Sequence, residues 1–120
     1  MKLLREDELP SGLTYPRAFL RAVERGLTHL EPWWVFDGDN LRSRAHGLRE
    51  RSPERALVPF ARRQDNDDVA CWEAGQGEQV FIVHDYASPG WERRRVYPNF
   101  YVWLRQAVED MIEYDQQEDQ

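Results

Sequence analysis

Cys71 and His84, with Asp85 beside the histidine, are the residues whose chemistry comes closest to a catalytic set. A cysteine nucleophile needs a nearby base and a partly exposed, electropositive setting that stabilises its thiolate. Cys71 instead stands between Ala70 and Trp72 in an apolar run, which is typical of a small buried side chain. We therefore predict no catalytic residues and no enzymatic activity, with a Cys71–His84 pair as the alternative.

The polar turn at residues 64–68, with three Asp and one Asn, is the stretch most similar to a metal-binding loop. Gly75 and Gly77 are most similar to a phosphate-binding loop. The EF-hand pattern requires Gly and then Glu at fixed positions after its first Asp, and these positions hold Ala70 and Gln76 here. The two glycines are not followed by a helix or by Lys-Ser/Thr, which a phosphate loop requires. Both stretches are typical of turns, and we predict neither a metal nor a cofactor.

Acidic residues are concentrated near the C-terminus. Residues 109–119 carry six acids and no Lys or Arg, which equals the formal net charge of −6. Carboxylates in the last turns of a helix oppose its dipole, so helix stability does not account for them. One interpretation is solubility. The other is a surface that steers a basic protein partner, because opposite electrostatic fields accelerate association.

The predicted partner-binding surface combines an aromatic anchor with two groups of acids. Trp91 is the predicted anchor because it follows Gly90 in an apparent loop and because Trp is favoured at interface hot spots. The predicted steering acids come from the polar turn and from the last helix: Asp65, Asp67, Asp68, Glu109, Asp110 and Glu113.

Arginine supplies 15 of the 16 basic residues. A GC-rich genome is one explanation, and bidentate pairing with acids is the other. One basic cluster has the composition of a nucleic-acid-binding patch: Arg93, Arg94 and Arg95, with Trp91 and Tyr97 nearby. The chain is acidic, however, with a pI near 5.1, and phosphate contacts dominate nucleic-acid affinity. We therefore predict a protein partner and no nucleic acid.

The elements that must position these residues begin with a meander of short strands. Residues 57–61, 69–73 and 80–84 are apolar or β-branched runs separated by turn-forming residues. Connections this short favour antiparallel neighbours. Residues 91–96 are a candidate fourth strand, and residues 30–37 read as a turn into one further short strand.

Helices are predicted on both sides of the meander. Thr14 can cap an N-terminal helix that has Pro16 in its first turn and Gly26 as its stop. Residues 37–40 form a turn signal, and residues 41–51 have the apolar spacing of a short surface helix.

The C-terminal helix has the strongest periodicity, with Pro98 suited to its first turn and residues 115–120 expected to fray. Its apolar positions recur at helical spacing: Phe100, Trp103, Leu104, Ala107, Val108, Met111 and Ile112. We predict an α+β fold in which a twisted antiparallel sheet of four to five strands packs against an N-terminal and a C-terminal helix.

Length and composition predict one domain over residues 1–120, with its core at about residues 9–114. A single cysteine fits a reducing compartment, and early acidic residues do not fit a secretory signal, so the predicted location is the cytoplasm. No apolar run is long enough to span a membrane. We expect a monomer or a weak dimer.

The meander and its flanks resemble the SUKH superfamily. The resemblance lies in Leu-Val-Pro-Phe-Ala at residues 57–61, the polar turn, the short strand with Cys71, the glycine turn and the strand that ends in His84-Asp85. Residues 9–26 resemble the opening helix of the family, and residues 99–104 resemble its closing helix. The chain departs from the pattern in its Asp-Asn-Asp-Asp turn, where members often have glycines, and in its lone Gly26.

The resemblance implies a function in binding. Bacterial SUKH proteins are implied to be immunity proteins that bind polymorphic toxins, often nucleases, and block their active sites. Because nuclease toxins are commonly basic, an acidic surface would suit such a partner. The leading hypothesis is stoichiometric neutralisation of a basic toxin domain. The alternative is a general protein-interaction or regulatory module of the same fold, without a toxin, as in the yeast cell-wall-synthesis regulator of the superfamily.

Overall fold

The computed structural model describes residues 1–84 and 93–118. These residues form a short 3-10 helix (Glu6–Glu8), three α-helices and six β-strands. The helices are α1 (Arg17–Glu24), α2 (Gly38–Arg51) and α3 (Phe100–Glu118). The strands are β1 (His29–Leu30), β2 (Trp33–Val35), β3 (Leu57–Arg63), β4 (Asp68–Glu73), β5 (Val80–His84) and β6 (Arg93–Tyr97). No helix in this part of the chain has the length and apolarity needed to cross a bilayer.

The six strands form one antiparallel sheet and follow each other in chain order. The predicted α+β class, the antiparallel meander and the helices at both ends are therefore confirmed. The predicted number of four to five strands is wrong, because residues 29–35 form the hairpin of β1 and β2 instead of a single strand. These two strands have only two and three residues, which is too short for an alternating pattern to be recognised.

The central strand β3 contains a β-bulge. Pro59 and Ala61 pair with consecutive residues of β4, so Phe60 is an extra residue between them. Proline has no N–H to donate and is tolerated inside a sheet mainly at such irregularities. The carbonyl oxygen of Phe60 accepts a hydrogen bond from the N–H of Phe36 at 2.9 Å. The bulge thus explains how a proline fits into an interior strand.

Helices α1 and α3 contact each other and cover one face of the sheet with aromatic rings. Phe60 lies at the centre of this cluster. Its ring centroid is 4.3 Å from that of Trp72, 4.8 Å from Trp103, 5.5 Å from Phe19 and 5.7 Å from Phe100. All five side chains are at most 2% exposed, so this is the most densely aromatic part of the core.

Helix α2 packs against β3 on the opposite face, on the side of Trp34 and Arg62. Its buried residues are Leu41, Ala45 and Leu48, which confirms the predicted helix and its apolar stripe. The helix begins at Gly38, however, so the turn predicted at residues 37–40 is wrong. Asp37 has the extended backbone of an N-cap, and a turn-forming sequence is also a helix-start signal.

Helix boundaries also differ from those predicted at other places. Pro16, not Thr14, is the N-cap of α1, and no side chain caps this helix. Gly26 is confirmed as the stop: its φ is +77°, and the N–H of Leu27 bonds to the carbonyl of Ala22 at 2.9 Å in a Schellman closure. Residues 115–118, expected to fray, continue α3 because they include neither Gly nor Pro.

Candidate functional site

Arg63, at the end of β3, connects the polar turn to α3. Its guanidinium makes two hydrogen bonds to the Asp65 carboxylate, at 2.9 and 3.0 Å, and lies 3.6 Å from Oδ2 of Asp110 on α3. Burial alone would lower the pKa of Arg63, but its hydrogen bonds to Asp65 and the charges of Asp65, Asp110 and Asp68 outweigh this effect and raise the pKa above its ordinary value. The turn and the helix, far apart in sequence, are thus held side by side by one cation.

Asp110 is fixed by further donors. Its Oδ2 accepts a hydrogen bond from Nε1 of Trp33 at 2.9 Å, and its Oδ1 accepts one from Nε2 of Gln106 at 3.0 Å. The Asp110 side chain is 13% exposed. This carboxylate therefore anchors α3 to the sheet.

A second link runs through Gln64. Nε1 of Trp34 donates to Oε1 of Gln64 at 2.6 Å, and Nε2 of Gln64 donates to the hydroxyl of Tyr114 at 3.2 Å. Trp34 also stacks on His29, with 3.4 Å between ring centroids. One of the two adjacent tryptophans, Trp33, is buried and Trp34 is half-buried, as expected for neighbours on opposite faces of a strand.

Asp68 begins β4 directly opposite His84 at the end of β5. Its Oδ1 lies 3.3 Å from Nδ1 of His84, and its backbone N–H donates to Oδ1 of Asn66 at 2.8 Å. Asp68 is only 9% exposed. The polar turn is therefore closed by its own side chains, as Asx turns are.

These contacts border a polar cleft of about 580 Å³ between the sheet and α3, called the α3 cleft below. Arg95 of β6 lines it opposite Asp110 and donates to the hydroxyl of Tyr97 at 3.2 Å. That hydrogen bond is the main cause of a raised pKa of Arg95, and the charges of Asp110 and Asp68 add to it. The cleft thus mixes both signs of charge.

The predicted steering acids fall into two groups. Asp65, Asp68 and Asp110 hold the turn and α3 in place through the contacts above. Asp67 in the polar turn and Glu109 and Glu113 on α3 are exposed, and Glu113 lines the α3 cleft. We call these three the acidic rim. Trp91, the predicted anchor, lies outside the described residues.

The alternative Cys71–His84 pair is not assembled. Successive side chains of a strand point to opposite faces of the sheet. His84 pairs with Asp68 and shares its face, and Cys71 is three residues further along β4 than Asp68. Cys71 therefore points to the other face, where it is fully buried. Across the described ranges, no three His, Cys, Asp or Glu residues are grouped so as to hold a metal ion.

Sequence reasoning missed the residues that join the acids. A search for acidic residues does not select Arg63 or Gln64, although they lie immediately before Asp65. Gln106 and Asp110 have the i, i+4 spacing of a helical side-chain pair, which is a usable signal. The long-range bond from Trp33 to Asp110 has no counterpart in the local sequence.

No family model, curated protein or solved structure matches the chain. The resemblance to the SUKH superfamily rests on the sequence motifs alone and remains a prediction.

Proposed function

We propose that the protein is a non-enzymatic binding protein and that its acidic rim receives a basic protein. The partner we propose is a toxin of the nuclease type, which the protein neutralises by stoichiometric binding as a bacterial immunity protein does. The observation that carries this proposal is the joining of two acidic segments by Arg63, which lies within hydrogen-bond or ion-pair distance of both Asp65 and Asp110.

The division of labour among the acids supports a binding role. The contacts of Asp65, Asp68 and Asp110 join the turn to α3 and to β5, and preorganisation of this kind reduces the conformational entropy lost when a partner binds. Asp67, Glu109 and Glu113 remain exposed and give this surface its negative field. Such a field raises the rate of association with a cationic partner by about ten- to a thousandfold, and salt screens it.

The direct test is co-expression with the protein encoded by the adjacent gene. We expect that neighbour to be toxic alone and harmless in the presence of this protein, with a one-to-one complex on purification. Toxicity that persists despite equal expression would contradict the immunity function. A complex with a harmless neighbour would favour the general interaction module.

The role of the acidic rim is tested separately by charge reversal. The double variant Asp67→Lys/Glu113→Lys should slow association, and the difference from the unmodified protein should shrink as salt is added. Glu24→Lys/Glu78→Lys is the matched control, because it reverses the same number of charges at two exposed residues that do not line the α3 cleft. Equal association rates for the two variants would remove the acidic rim from the interface.

A further inference from the structure

The outer side of α3 carries a row of residues at heptad spacing, called the α3 stripe below. Its members follow one another at intervals of four, three, four and three residues: Tyr101, Arg105, Val108, Ile112 and Asp115. On a helix, such intervals place all five side chains on one face. Trp103 and Ala107 point from α3 into the core and are buried, so the stripe lies on the side away from the sheet.

The middle of the α3 stripe is apolar and accessible. Tyr101 is 47% exposed and Ile112 is 41% exposed, although both are large apolar side chains. Val108 lies between them and is half-buried. A shallow groove of about 530 Å³ runs beside the stripe, and its lining includes Tyr97 of β6 together with Arg105 and Val108. This side of α3 therefore has ridges and a groove into which the side chains of another helix can pack.

Charge is unevenly distributed along this side of α3. Arg105 is the only basic residue of the helix and lies in its N-terminal half, whereas Glu109 and Asp115 follow in the C-terminal half. All three are exposed, and none of them forms an ion pair within residues 1–84 and 93–118. A parallel second α3 would bring Arg105 against Arg105 and Asp115 against Asp115. An antiparallel one would bring Arg105 against acids, so the charges select the antiparallel orientation.

We propose that the α3 stripe binds the α3 stripe of a second copy of this chain, as an antiparallel helix pair with its two-fold axis beside Val108. The stripe is symmetric about this residue, because Tyr101 and Asp115 each lie seven positions from it. Tyr101 of one copy therefore meets Asp115 of the other, and Arg105 meets Ile112 with Glu109 beside it. Such an interface is the same surface on both copies, as two-fold symmetry requires.

The helix dipole supports the same orientation. The first turn of α3 has no acidic residue and the last turn has no basic one, so neither end carries the charge that stabilises a helix terminus. In the antiparallel pair, Asp115 of the second copy lies beside the first turn, next to Tyr101, where a carboxylate is favourable. Self-association thus gives a role to an acid that the isolated helix does not favour.

The proposed interface is small. Helix α3 has 19 residues. One side of it offers a strip of about 28 by 10 Å. Two such strips are well below the roughly 1,200 Å² that stable interfaces bury. We therefore expect a weak dimer that forms at high protein concentration and dissociates on dilution.

Self-association does not depend on the proposed toxin binding, because it is measured on the purified protein alone. Loss of toxin neutralisation would leave the dimer intact, and a monomer at every concentration would leave the immunity function intact. The two functions share Glu109, which belongs to the acidic rim. A second copy and a basic partner should therefore compete for this part of α3.

Sedimentation equilibrium over a wide range of concentrations tests the pairing. Arg105→Glu and the double variant Glu109→Lys/Asp115→Lys should each weaken self-association about tenfold or more, because each places like charges across the axis. An equimolar mixture of these two proteins should restore it, since opposite charges then meet at both ends of the pair. Arg21→Glu, at an exposed position of α1, is the matched control.

Three results of this experiment would overturn the proposal. The first is an unmodified protein that stays monomeric at the highest concentration reached. The second is a mixture of the two charge variants that associates no better than either variant alone. The third is an equal loss of association in the Arg21→Glu control.

Disulfide cross-linking tests the position of the axis. Val108→Cys should give a covalent dimer on addition of oxidised glutathione, because the two copies of residue 108 meet at the axis. The native Cys71 is fully buried. Ile112→Cys is the matched control, since its two copies would lie about 12 Å apart along the pair, too far for a disulfide. Equal cross-linking of both variants would overturn the antiparallel arrangement, and no cross-linking of Val108→Cys would overturn the axis.

Discussion

The two faces of the sheet are covered in different ways. Under α1 and α3, packed rings such as Phe60, Trp72 and Trp103 fill the space. Under α2, the buried helix residues are Leu and Ala, and arginines complete the cover. Arg55 shows this second mode: it makes two hydrogen bonds to Glu73 at 3.0 and 3.1 Å, and its guanidinium carbon lies 5.5 Å from the Phe81 ring centroid.

The contrast shows how one small sheet can present surfaces of opposite character. The aromatic core contains no charged groups. The acids at its edge therefore have two other roles: Asp110 attaches α3 to the sheet, and the acidic rim is exposed. Arginine contributes apolar stems for packing and a charged head at the surface. On the α2 side, residues that cover the sheet therefore also place charged groups at its surface. The fifteen arginines are in part explained by pairing with acids inside the fold, as Arg42, Arg55 and Arg63 do.

The largest effect is expected from Phe60→Ala on the aromatic face. Phe60 contacts four other rings, and its truncation should lower the free energy of unfolding by about 3–5 kcal/mol. Chemical denaturation monitored by circular dichroism measures this loss. A loss below about 1 kcal/mol would contradict the central role of the ring cluster.

Leu41→Ala is the corresponding change on the α2 face. Leu41 is 1% exposed, so its truncation should also destabilise the protein, by about 2–3 kcal/mol. We expect the smaller value because leucine is smaller than phenylalanine, so its truncation removes fewer buried atoms. The same denaturation measurement applies. A greater loss for Leu41→Ala than for Phe60→Ala would reverse the proposed contrast.

Arg55→Met tests whether charge contributes to the cover of the α2 face. Methionine retains much of the apolar stem but leaves the Glu73 carboxylate, 17% exposed, without its bidentate partner. We expect a loss of about 1–3 kcal/mol in the free energy of unfolding. The double variant Arg55→Met/Glu73→Gln should recover part of this stability, because it removes the unpaired charge. If the double variant is as unstable as the single one, the unpaired Glu73 charge does not cause the loss.

Glu8→Gln should give a pH-dependent effect, because Glu8 attaches the N-terminal segment to α2. Hydrogen bonds from Arg42, and then from the Arg5 N–H, lower the pKa of Glu8 from 4.5 to about 2. A carboxyl whose pKa is lower in the folded state stabilises the fold above its unfolded pKa, and this contribution is lost as the pH falls through the folded pKa. The stability difference between the two proteins should be largest above pH 4.5 and vanish near pH 2.

Urea denaturation of both proteins across this pH range measures the difference. Glu6→Gln, on the same short helix, is the matched control and should not reproduce the pH-dependent difference. A difference between the Glu8 variant and the unmodified protein that stays constant down to pH 2 would assign the effect to packing instead of charge.

The smallest effect is expected at the helix ends. Asp115 lies in the last turn of α3, where a carboxylate opposes the helix dipole, so Asp115→Asn should raise stability by about 0.3–1 kcal/mol. Asp39 lies in the first turn of α2, where a carboxylate is favourable, so Asp39→Asn should lower stability by a similar amount. Thermal unfolding at low salt measures both, and a shift of the same sign would contradict the dipole explanation.

The sequence predicts the regular parts of this fold well, for identifiable reasons. Strand β5 matches its predicted bounds at residues 80–84, and the strongly periodic helix α3 begins within two residues of Pro98. The β1–β2 hairpin was missed because strands this short have no periodicity. The start of α2 was misread because Asp and Gly favour both turns and helix N-termini.

The candidate sites were harder to predict, because their geometry depends on long-range contacts. Asp65, Asp68 and Asp110 differ from the other predicted acids in having Arg63, His84 and Trp33 as partners, and Trp33 is 77 residues from Asp110. The pocket between α2 and the strands β2 and β3 likewise depends on a tertiary pairing, because Trp34 and Arg62 meet only when β2 pairs with β3. Neither pairing can be read from local composition.

The order of the strands has a consequence for how the chain folds. Each strand pairs with the next one along the sequence, so every pairing step closes a comparatively short loop, and the entropy lost on loop closure stays small. The contacts between α1 and α3 join residues from opposite ends of the chain and close the longest loop. We therefore expect a rapidly growing sheet and a late docking of α3, which would bring the acidic rim together only as the last part of the native structure forms.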